Sequence, residues 1–194
     1  VAVNRINTPE VAERILAEGQ ADMVSLARPL LADPQWPAKA RAGRAGSINT
    51  CIACNQACLD HIFQGKVASC LVNPRAGHET ELNYLPTPAP RRIAVVGAGP
   101  AGLACATVAA QRGHHVTLFE ASDRIGGQFN LAARIPGKEE FRETLRYFQH
   151  RIAETGVELR LGTAAGPAEL AGFDHIVLAT GVGPRRVDFP GATD

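Results

Sequence analysis

Apolar residues recur along the chain in two patterns, short unbroken runs and longer amphipathic stretches. In the N-terminal part, apolar runs at residues 1–3 and 23–26 predict two strands, and the stretch between them predicts a helix. Thr8 is a candidate N-cap for this helix, Pro9 suits its first position, and Gly19 is placed to end it. The order strand, loop, helix, strand, loop fits the last units of a (β/α)8 barrel.

Beyond residue 91 the pattern changes to a regular alternation of strands and helices. The apolar runs have the length of buried strands, and the longest helical stretch is apolar on one side. This alternation predicts a parallel sheet in a Rossmann-like, three-layer α/β domain. We expect strands at residues 93–96, 116–119, 157–161 and 175–179, and helices at residues 103–112 and 137–155.

Two segments between these parts show little hydrophobic periodicity. Residues 47–82 hold four of the five cysteines, so we expect this segment to fold around something other than its own apolar core. Residues 83–91 contain three prolines, which predicts a stiff linker. The sequence therefore predicts an α/β protein of four parts. They are the C-terminal end of a (β/α)8 barrel at 1–46, a loop-rich cysteine segment at 47–82, the linker at 83–91 and an incomplete Rossmann-like domain at 92–194.

A glycine fingerprint lies between the first predicted strand of the last domain and the helix after it. Gly97, Gly99 and Gly102 have the spacing G-x-G-x-x-G, which permits a tight turn, a close approach to a pyrophosphate and close helix packing. Glu120 ends the next predicted strand, where a carboxylate accepts hydrogen bonds from an adenosine ribose and disfavours a 2′-phosphate. The site is therefore expected to bind FAD or NAD rather than NADP.

Two later motifs favour FAD at this site. Gly126-Gly127 and Ala179-Thr180-Gly181 resemble accessory motifs of the two-dinucleotide flavoproteins related to glutathione reductase, in which the fingerprint domain holds FAD. Gln128 follows the glycine pair and is a candidate contact to the flavin diphosphate or ribose, with a solvent-facing amide as the alternative. A glycine-rich turn without a ligand is the alternative for the fingerprint itself.

Four cysteines form the pattern C-x2-C-x3-C-x11-C. A 4Fe-4S cubane takes one thiolate on each iron, whereas structural zinc usually takes two separate C-x2-C pairs. One such pair followed by a wider step favours a 4Fe-4S cluster, and zinc or unliganded thiols remain the alternatives. The candidate ligands are Cys51, Cys54, Cys58 and Cys70.

Two arginines follow the two predicted N-terminal strands. The loops after the last two strands of a (β/α)8 barrel commonly build a phosphate site. Arg5 and Arg28, with the backbone at Ala27, are therefore candidates for the phosphate of FMN, which guanidinium groups bind by charge-assisted hydrogen bonds. For two loop arginines taken alone, a solvated surface position is the alternative.

The charge balance argues against partners that bind through a strong electrostatic field. Twenty Lys and Arg against 19 Asp and Glu give a net charge of +1, with no basic stripe for nucleic acid or a membrane surface.

With no signal peptide or membrane span in the sequence, a reducing, cytoplasmic location is expected. Met23 is the only methionine, so we expect a piece of a longer enzyme that is inactive by itself.

Several motifs occur in the order found in one enzyme family. They are Asn4-Arg5-Ile6-Asn7, the segment from Ala27 to Pro34, the four cysteines, Asn73-Pro74-Arg75 and the glycine fingerprint. With these motifs the chain resembles the bacterial NADPH-dependent 2,4-dienoyl-CoA reductases, iron-sulfur flavoproteins whose barrel belongs to the old yellow enzyme group. The stretch from Gly126 to Phe141 favours these reductases over the related amine dehydrogenases.

The resemblance implies a route for electrons through the chain. Electrons would pass from NADPH to FAD, then singly through a 4Fe-4S cluster to FMN, and finally as hydride to an unsaturated fatty acyl-CoA in β-oxidation. The catalytic acid and base for that last step are expected outside this sequence. The implied cofactor residues are Arg5, Ala27 and Arg28 for FMN, Cys51, Cys54, Cys58 and Cys70 for the cluster, and Ala101, Glu120 and Gln128 for FAD.

Two further functions stay open from the residues alone. An enoate reductase or a trimethylamine-dehydrogenase-like flavoprotein would share the same motifs. A zinc-stabilised nucleotide-binding module with no redox role would explain the cysteines and the glycines separately.

Overall fold

The N-terminal part of the protein contains short helices and almost no sheet. A computed structural model describes residues 1–183. Ala2 and Val24 form a single parallel bridge, so the prediction of two full strands is wrong there. No further strand within the described residues flanks this pair, and Val1 and Met23 beside it are exposed. The helices are α1 (Pro9–Ala17), α2 (Arg28–Ala32), α3 (Trp36–Arg41) and a short 3-10 helix (Ala45–Ser47).

Helix α1 follows the signals in its sequence at both ends. Thr8 has the extended backbone of an N-cap, although its side chain makes no capping hydrogen bond, and Pro9 begins the helix. Gly19 has a φ of +67°, so the chain turns away just after the helix ends. A small apolar core then joins α1 to α3, and it consists of Ile6, Ala12, Trp36 and Ile48.

The middle of the chain is loop-rich, as predicted. Residues 47–82 contain one short helix, α4 (Leu59–Phe63), and the backbone otherwise follows turns. The segment around residue 87 contacts the later domain, where the Thr87 N–H donates to the Arg112 carbonyl oxygen at 2.7 Å. The four-part division of the chain stays a prediction.

A four-stranded parallel sheet forms the core of the C-terminal part. The strand order is β3-β2-β1-β4, and every neighbouring pair is parallel. This confirms the predicted α/β architecture, and each strand bound differs from the expected one by one residue at most. The strands are β1 (Arg92–Val96), β2 (His115–Phe119), β3 (Glu158–Arg160) and β4 (His175–Leu178).

Helices pack against this sheet and contribute to its core. The first begins at Pro100 rather than at residue 103, because the fingerprint turn leads directly into its first turn. The longest begins at Phe141 rather than at residue 137, since Gly137 has a φ of +81° and belongs to the preceding turn. Two four-residue helices were not predicted. The helices are α5 (Pro100–Gln111), α6 (Phe129–Ala132), α7 (Phe141–Thr155) and α8 (Pro167–Leu170).

The core of this domain is built from the positions that the apolar runs indicated. Val95 of β1, Leu118 of β2 and Leu103 of α5 are fully buried and belong to one cluster. Helix α5 packs against β1 and β2, and α7 packs against α5. No helix within residues 1–183 is both long and apolar enough to cross a lipid bilayer.

Candidate functional site

A cavity of about 700 Å³ opens where β1, β2 and β4 end. The carboxyl ends of neighbouring parallel strands meet at this edge of the sheet, which is where ligands bind in open α/β folds. We call it the fingerprint cavity. It is lined by Gly97, Gly99, Pro100, Ala101, Glu120, Ser122, Arg124, Gly127, Gln128, Asn130, Leu131, Arg134, Ala179, Thr180, Gly181 and Val182.

The three fingerprint glycines serve different steric needs. Gly97 has a φ of +104°, and a side chain there would collide with the Ala179 carbonyl oxygen. A side chain on Gly102 would collide with the Gly97 carbonyl oxygen, so Gly102 permits close packing of α5 without lining the cavity. The Cβ position of Gly99 faces open space on the cavity wall, next to the unpaired amides of the first turn of α5. An anion at this place would meet the N-terminus of a helix.

Glu120 is held by backbone and hydroxyl donors directly after β2. Its Oε2 accepts from the Ala98 N–H at 2.8 Å, and its Oε1 accepts from the Ser122 N–H and Oγ, each at 2.8 Å. Burial by itself raises the pKa of Glu120, but these hydrogen bonds together bring the pKa below its ordinary value. The carboxylate is therefore ionised and keeps unused lone pairs for a ribose hydroxyl.

Other predicted contacts also reach the fingerprint cavity. Ala101 lies in the first turn of α5. Gly127 lies beside Gly99, because a Cβ atom placed on Gly127 would be 3.4 Å from the Gly99 Cα. Gln128 Nε2 donates to the Val182 carbonyl oxygen at 2.6 Å across the cavity. Arg124 and Arg134 were not predicted, although two cations flanking the Gly126-Gly127 pair were a usable signal for a diphosphate.

The four cysteines of the central segment converge on one small pocket, which we call the cysteine pocket. It is lined by Cys51, Cys54, Cys58 and Cys70 together with Arg28, Leu31, Ile52, Asn55, Ala57, Leu71 and Val72. All four thiols are free. Within residues 1–183, however, no three His, Cys, Asp or Glu side chains are placed to hold a metal ion. The predicted 4Fe-4S cluster is therefore not shown by the structure.

Backbone conformation and amide side chains shape the cysteine pocket. Ala53 and Asn55 have φ values of +52° and +61°, so the chain reverses on both sides of Cys54. The segment after Cys70 is tied down from two directions. Asn49 Nδ2 donates to the Val72 carbonyl oxygen at 2.7 Å, and Asn73 Nδ2 donates to the Leu31 carbonyl oxygen at 2.8 Å.

Burial raises the pKa of the Cys51 and Cys70 thiols above the ordinary value. Backbone amides oppose this effect, from Ala53 at Cys51 and from Val72 and Asn73 at Cys70. The donor set is therefore four thiols in a largely apolar pocket with N–H groups directed at two of them. This chemistry fits a thiolate-bound iron-sulfur group, because hydrogen bonds to the sulfur atoms are a normal feature of such sites.

The two predicted phosphate arginines line a second N-terminal pocket of about 250 Å³, which we call the arginine pocket. Arg5, Ala27 and Arg28 all border it, with the loop backbone at residues 3–7 and 25–29 around them. Arg5 Nη2 forms an ion pair with Glu140 Oε2 at 2.8 Å. Arg28 lines the cysteine pocket as well, and its Nη1 donates to Asn55 Oδ1 at 2.7 Å. The arginine pocket and the cysteine pocket therefore share one side chain.

Comparisons with known proteins show the family of this chain. The model of the pyridine nucleotide-disulphide oxidoreductase family matches residues 91–194, which is more than half of the chain. The chain belongs to this family. The model of the NADH:flavin oxidoreductase / NADH oxidase family matches residues 1–47, the part that contains the arginine pocket. Both are oxidoreductase families, which supports flavin and NAD(P)H as the cofactors.

Individual relatives are similar to the chain over nearly all of its length. A metal reductase of Desulforamulus reducens is 48% identical over 98% of this chain and 29% of its own. The structure of a 2-naphthoyl-CoA reductase in complex with 2-naphthoyl-CoA matches with a TM-score of 0.94 at 40% identity, over 99% of this chain and 30% of that one. Histamine dehydrogenase from Rhizobium sp. 4-9 matches with a TM-score of 0.86 at 32% identity, over 95% and 28%.

The chain spans less than a third of the length of each of these three relatives. The relatives include reductases and an amine dehydrogenase, so the similarity supports a flavin-dependent oxidoreductase. It does not single out a 2,4-dienoyl-CoA reductase.

Proposed function

We propose that this chain is the electron-transferring part of an NAD(P)H-dependent flavoprotein oxidoreductase with three cofactor sites. The fingerprint cavity would bind FAD, the cysteine pocket a 4Fe-4S cluster, and the arginine pocket the phosphate of FMN. The observation that carries the proposal is the shared side chain of Arg28, which lines both the cysteine pocket and the arginine pocket. A relay centre next to a second flavin site requires such an adjacency.

At the fingerprint cavity the chain's own groups match the parts of a dinucleotide. Gly99 leaves room for a pyrophosphate, and the amides at the start of α5 can donate to it. Arg134 on the cavity wall adds positive charge for the same phosphates, whereas Arg124 beside it is paired with Asp123. The ionised Glu120 can accept hydrogen bonds from the ribose. FAD bound here would supply a hydride acceptor for NAD(P)H.

At the cysteine pocket the spacing of the four cysteines favours a cluster over a single zinc ion. Structural zinc usually takes two separate C-x2-C pairs, whereas this chain has one such pair followed by a wider step. A cubane takes each thiol on a separate iron. A cluster would supply one-electron transfer between two flavins. Cys51, Cys54, Cys58 and Cys70 would each hold one iron.

At the arginine pocket the loop backbone has an unusual conformation. Asn4 and Arg5 have φ values of +76° and +52°, an unusual conformation for consecutive non-glycine residues. Such a turn can present successive backbone N–H groups to an anion. Arg28 is oriented by its hydrogen bond to Asn55, which leaves its remaining guanidinium donors for a phosphate.

For the substrate we propose an unsaturated acyl-CoA, reduced by NADPH as in the 2,4-dienoyl-CoA reductases. The stretch from Gly126 to Phe141 supports this choice, as does the similarity to a 2-naphthoyl-CoA reductase. An enoate reductase and an amine dehydrogenase are the competing assignments, and the similarity to histamine dehydrogenase supports the second. The pocket that selects the substrate would belong to the rest of the parent chain. A cytoplasmic location stays a prediction.

The test uses the full-length protein, purified without oxygen. The proposal predicts about four irons per chain, together with bound FAD and FMN. It also predicts NADPH consumption with a dienoyl-CoA and none with a secondary or tertiary amine. One zinc per chain and no visible absorbance would refute the cluster. Turnover of the amine instead of the thioester would show that the enzyme is an amine dehydrogenase and not a reductase of acyl-CoA.

A further inference from the structure

One face of helix α7 contacts the chain segment that leads into the first cysteine. We call residues 46–50 the lead-in segment, since residue 51 is the first thiol of the cysteine pocket. Residues 47–50 are all buried. The contacting face carries residues at spacings of three and four, which lie one above another on a helix. They are Glu143, Arg146, His150 and Glu154.

Arg146 makes most of these contacts. Its Nη1 donates to the Gly46 carbonyl oxygen, and its Nη2 donates to the Ile48 carbonyl oxygen at 2.9 Å and to Thr50 Oγ1 at 3.0 Å. Its Nε donates to Glu143 Oε2 at 2.6 Å on the same helix, which fixes the direction of the guanidinium plane. One side chain of α7 therefore binds three alternate residues of the lead-in segment through charge-assisted hydrogen bonds.

Further polar contacts continue this interface in both directions. Ser47 Oγ donates to Glu154 Oε1 near the end of α7, and the backbone at Gly46 lies directly against the His150 ring. Before the start of α7, Glu140 accepts from Arg5 and Asn7 of the N-terminal part. The hydrogen bond from Ser47 is the largest cause of the lowered pKa of Glu154, so this carboxylate is ionised where it meets the loop.

The lead-in segment is also held from its other side. Asp33 Oδ2 accepts from the Asn49 N–H at 2.9 Å and from Lys39 Nζ at 2.6 Å, and Lys39 Nζ donates to the Ser47 carbonyl oxygen at 2.8 Å. The loop is thus fixed between the N-terminal part and α7. Because α7 packs on α5, and the first turn of α5 lines the fingerprint cavity, a continuous chain of contacts joins that cavity to Cys51.

We infer that α7 fixes the cysteine pocket relative to the fingerprint cavity, with Arg146 as a positioning residue for electron transfer between them. The inference rests on the proposed function for the nature of the two centres, whereas the contacts themselves do not depend on it. NAD(P)H would deliver two electrons as hydride at the fingerprint cavity, and these would leave singly toward the cysteine pocket. A loosened lead-in segment would slow the second process and leave the first unchanged.

The experiment compares Arg146→Gln with Arg142→Gln in the full-length enzyme. Arg142 lies on the same helix, is exposed and makes no side-chain hydrogen bond within the described residues. Its replacement by Gln therefore removes the same positive charge but no side-chain hydrogen bond. Amide hydrogen exchange at residues 46–52 should be about tenfold faster in Arg146→Gln, because charge-assisted hydrogen bonds hold this loop closed. Exchange should stay at the wild-type rate in Arg142→Gln. Unchanged exchange in Arg146→Gln would overturn the inference.

Rapid-mixing kinetics separate positioning from general damage. In Arg146→Gln, reduction of a dye that takes electrons from FAD should stay within about twofold of wild type, while reduction of iron by NAD(P)H should slow about tenfold. Faster exchange with unchanged iron reduction would overturn the positioning role. If the wild-type protein holds no iron, the proposed function fails, and the exchange measurement alone decides whether α7 holds the loop.

Discussion

Gly99 and Gly102 belong to the same fingerprint but answer to different constraints. Gly102 has no room for a side chain, because the Gly97 carbonyl oxygen already occupies that position. Gly99 has an ordinary φ of −73° and open space at its Cβ position. Gly102 therefore serves the fold, and Gly99 serves whatever occupies the fingerprint cavity. Single substitutions can separate these two roles.

Gly102→Ala and Gly99→Ala should have opposite signatures. The added methyl at residue 102 forces α5 away from β1 and should destabilise the protein by about 1–3 kcal/mol. At residue 99 the methyl projects into the cavity, so the stability without FAD should be unchanged while FAD affinity falls about tenfold or more. Urea unfolding and an FAD fluorescence titration measure the two effects. Equal FAD affinity of Gly99→Ala and wild type would show that the pyrophosphate does not bind at this position.

Glu120 should contribute a pH-dependent part of the stability. Its pKa in the folded protein lies below the ordinary value of 4.5, so its ionised form stabilises the fold above pH 4.5. This contribution is lost as the pH falls through the lower, folded pKa. In Glu120→Gln, the deficit in unfolding free energy relative to wild type should therefore shrink as the pH is lowered from 4.5.

Helices and strands that depend on local signals could be predicted from the sequence, whereas features that depend on long-range contacts could not. The apolar runs predict the strands of the sheet, and the glycine fingerprint predicts the position of the fingerprint cavity. Both signals lie within a few consecutive residues. The N-terminal strands shrink to one bridge at Ala2 and Val24, since strand formation depends on neighbours that a local pattern does not contain. Arg146 and its loop contacts left no local signal either, because the partners lie about a hundred residues apart along the chain.

The loop around Cys54 offers a test of backbone strain. Asn55 has a φ of +61° and accepts the hydrogen bond from Arg28. Asn55→Gly and Asn55→Ala both remove that hydrogen bond, but only alanine also incurs the left-handed penalty of about 1 kcal/mol. Asn55→Ala should therefore be the less stable of the two by about that amount in urea unfolding. Equal stability would mean that the loop relaxes and that its reversal at Cys54 is not imposed by the surrounding contacts.

Side-chain contacts across the whole molecule link the three cavities. The arginine pocket and the cysteine pocket share Arg28, and α7 connects the cysteine pocket with the domain of the fingerprint cavity. The two family matches fall on the two outer parts, residues 1–47 and 91–194. The cysteine segment lies between them in sequence, so its chemistry decides whether the chain is a relay.

The most direct test of the relay is low-temperature EPR of the full-length enzyme after NAD(P)H is added without oxygen. We expect the signal of a reduced 4Fe-4S cluster in the wild-type protein. We expect loss of that signal in Cys54→Ser, in which FAD should still be bound and reduced by NAD(P)H. Full reduction of the flavins in the wild-type protein with no iron signal would contradict the proposed relay.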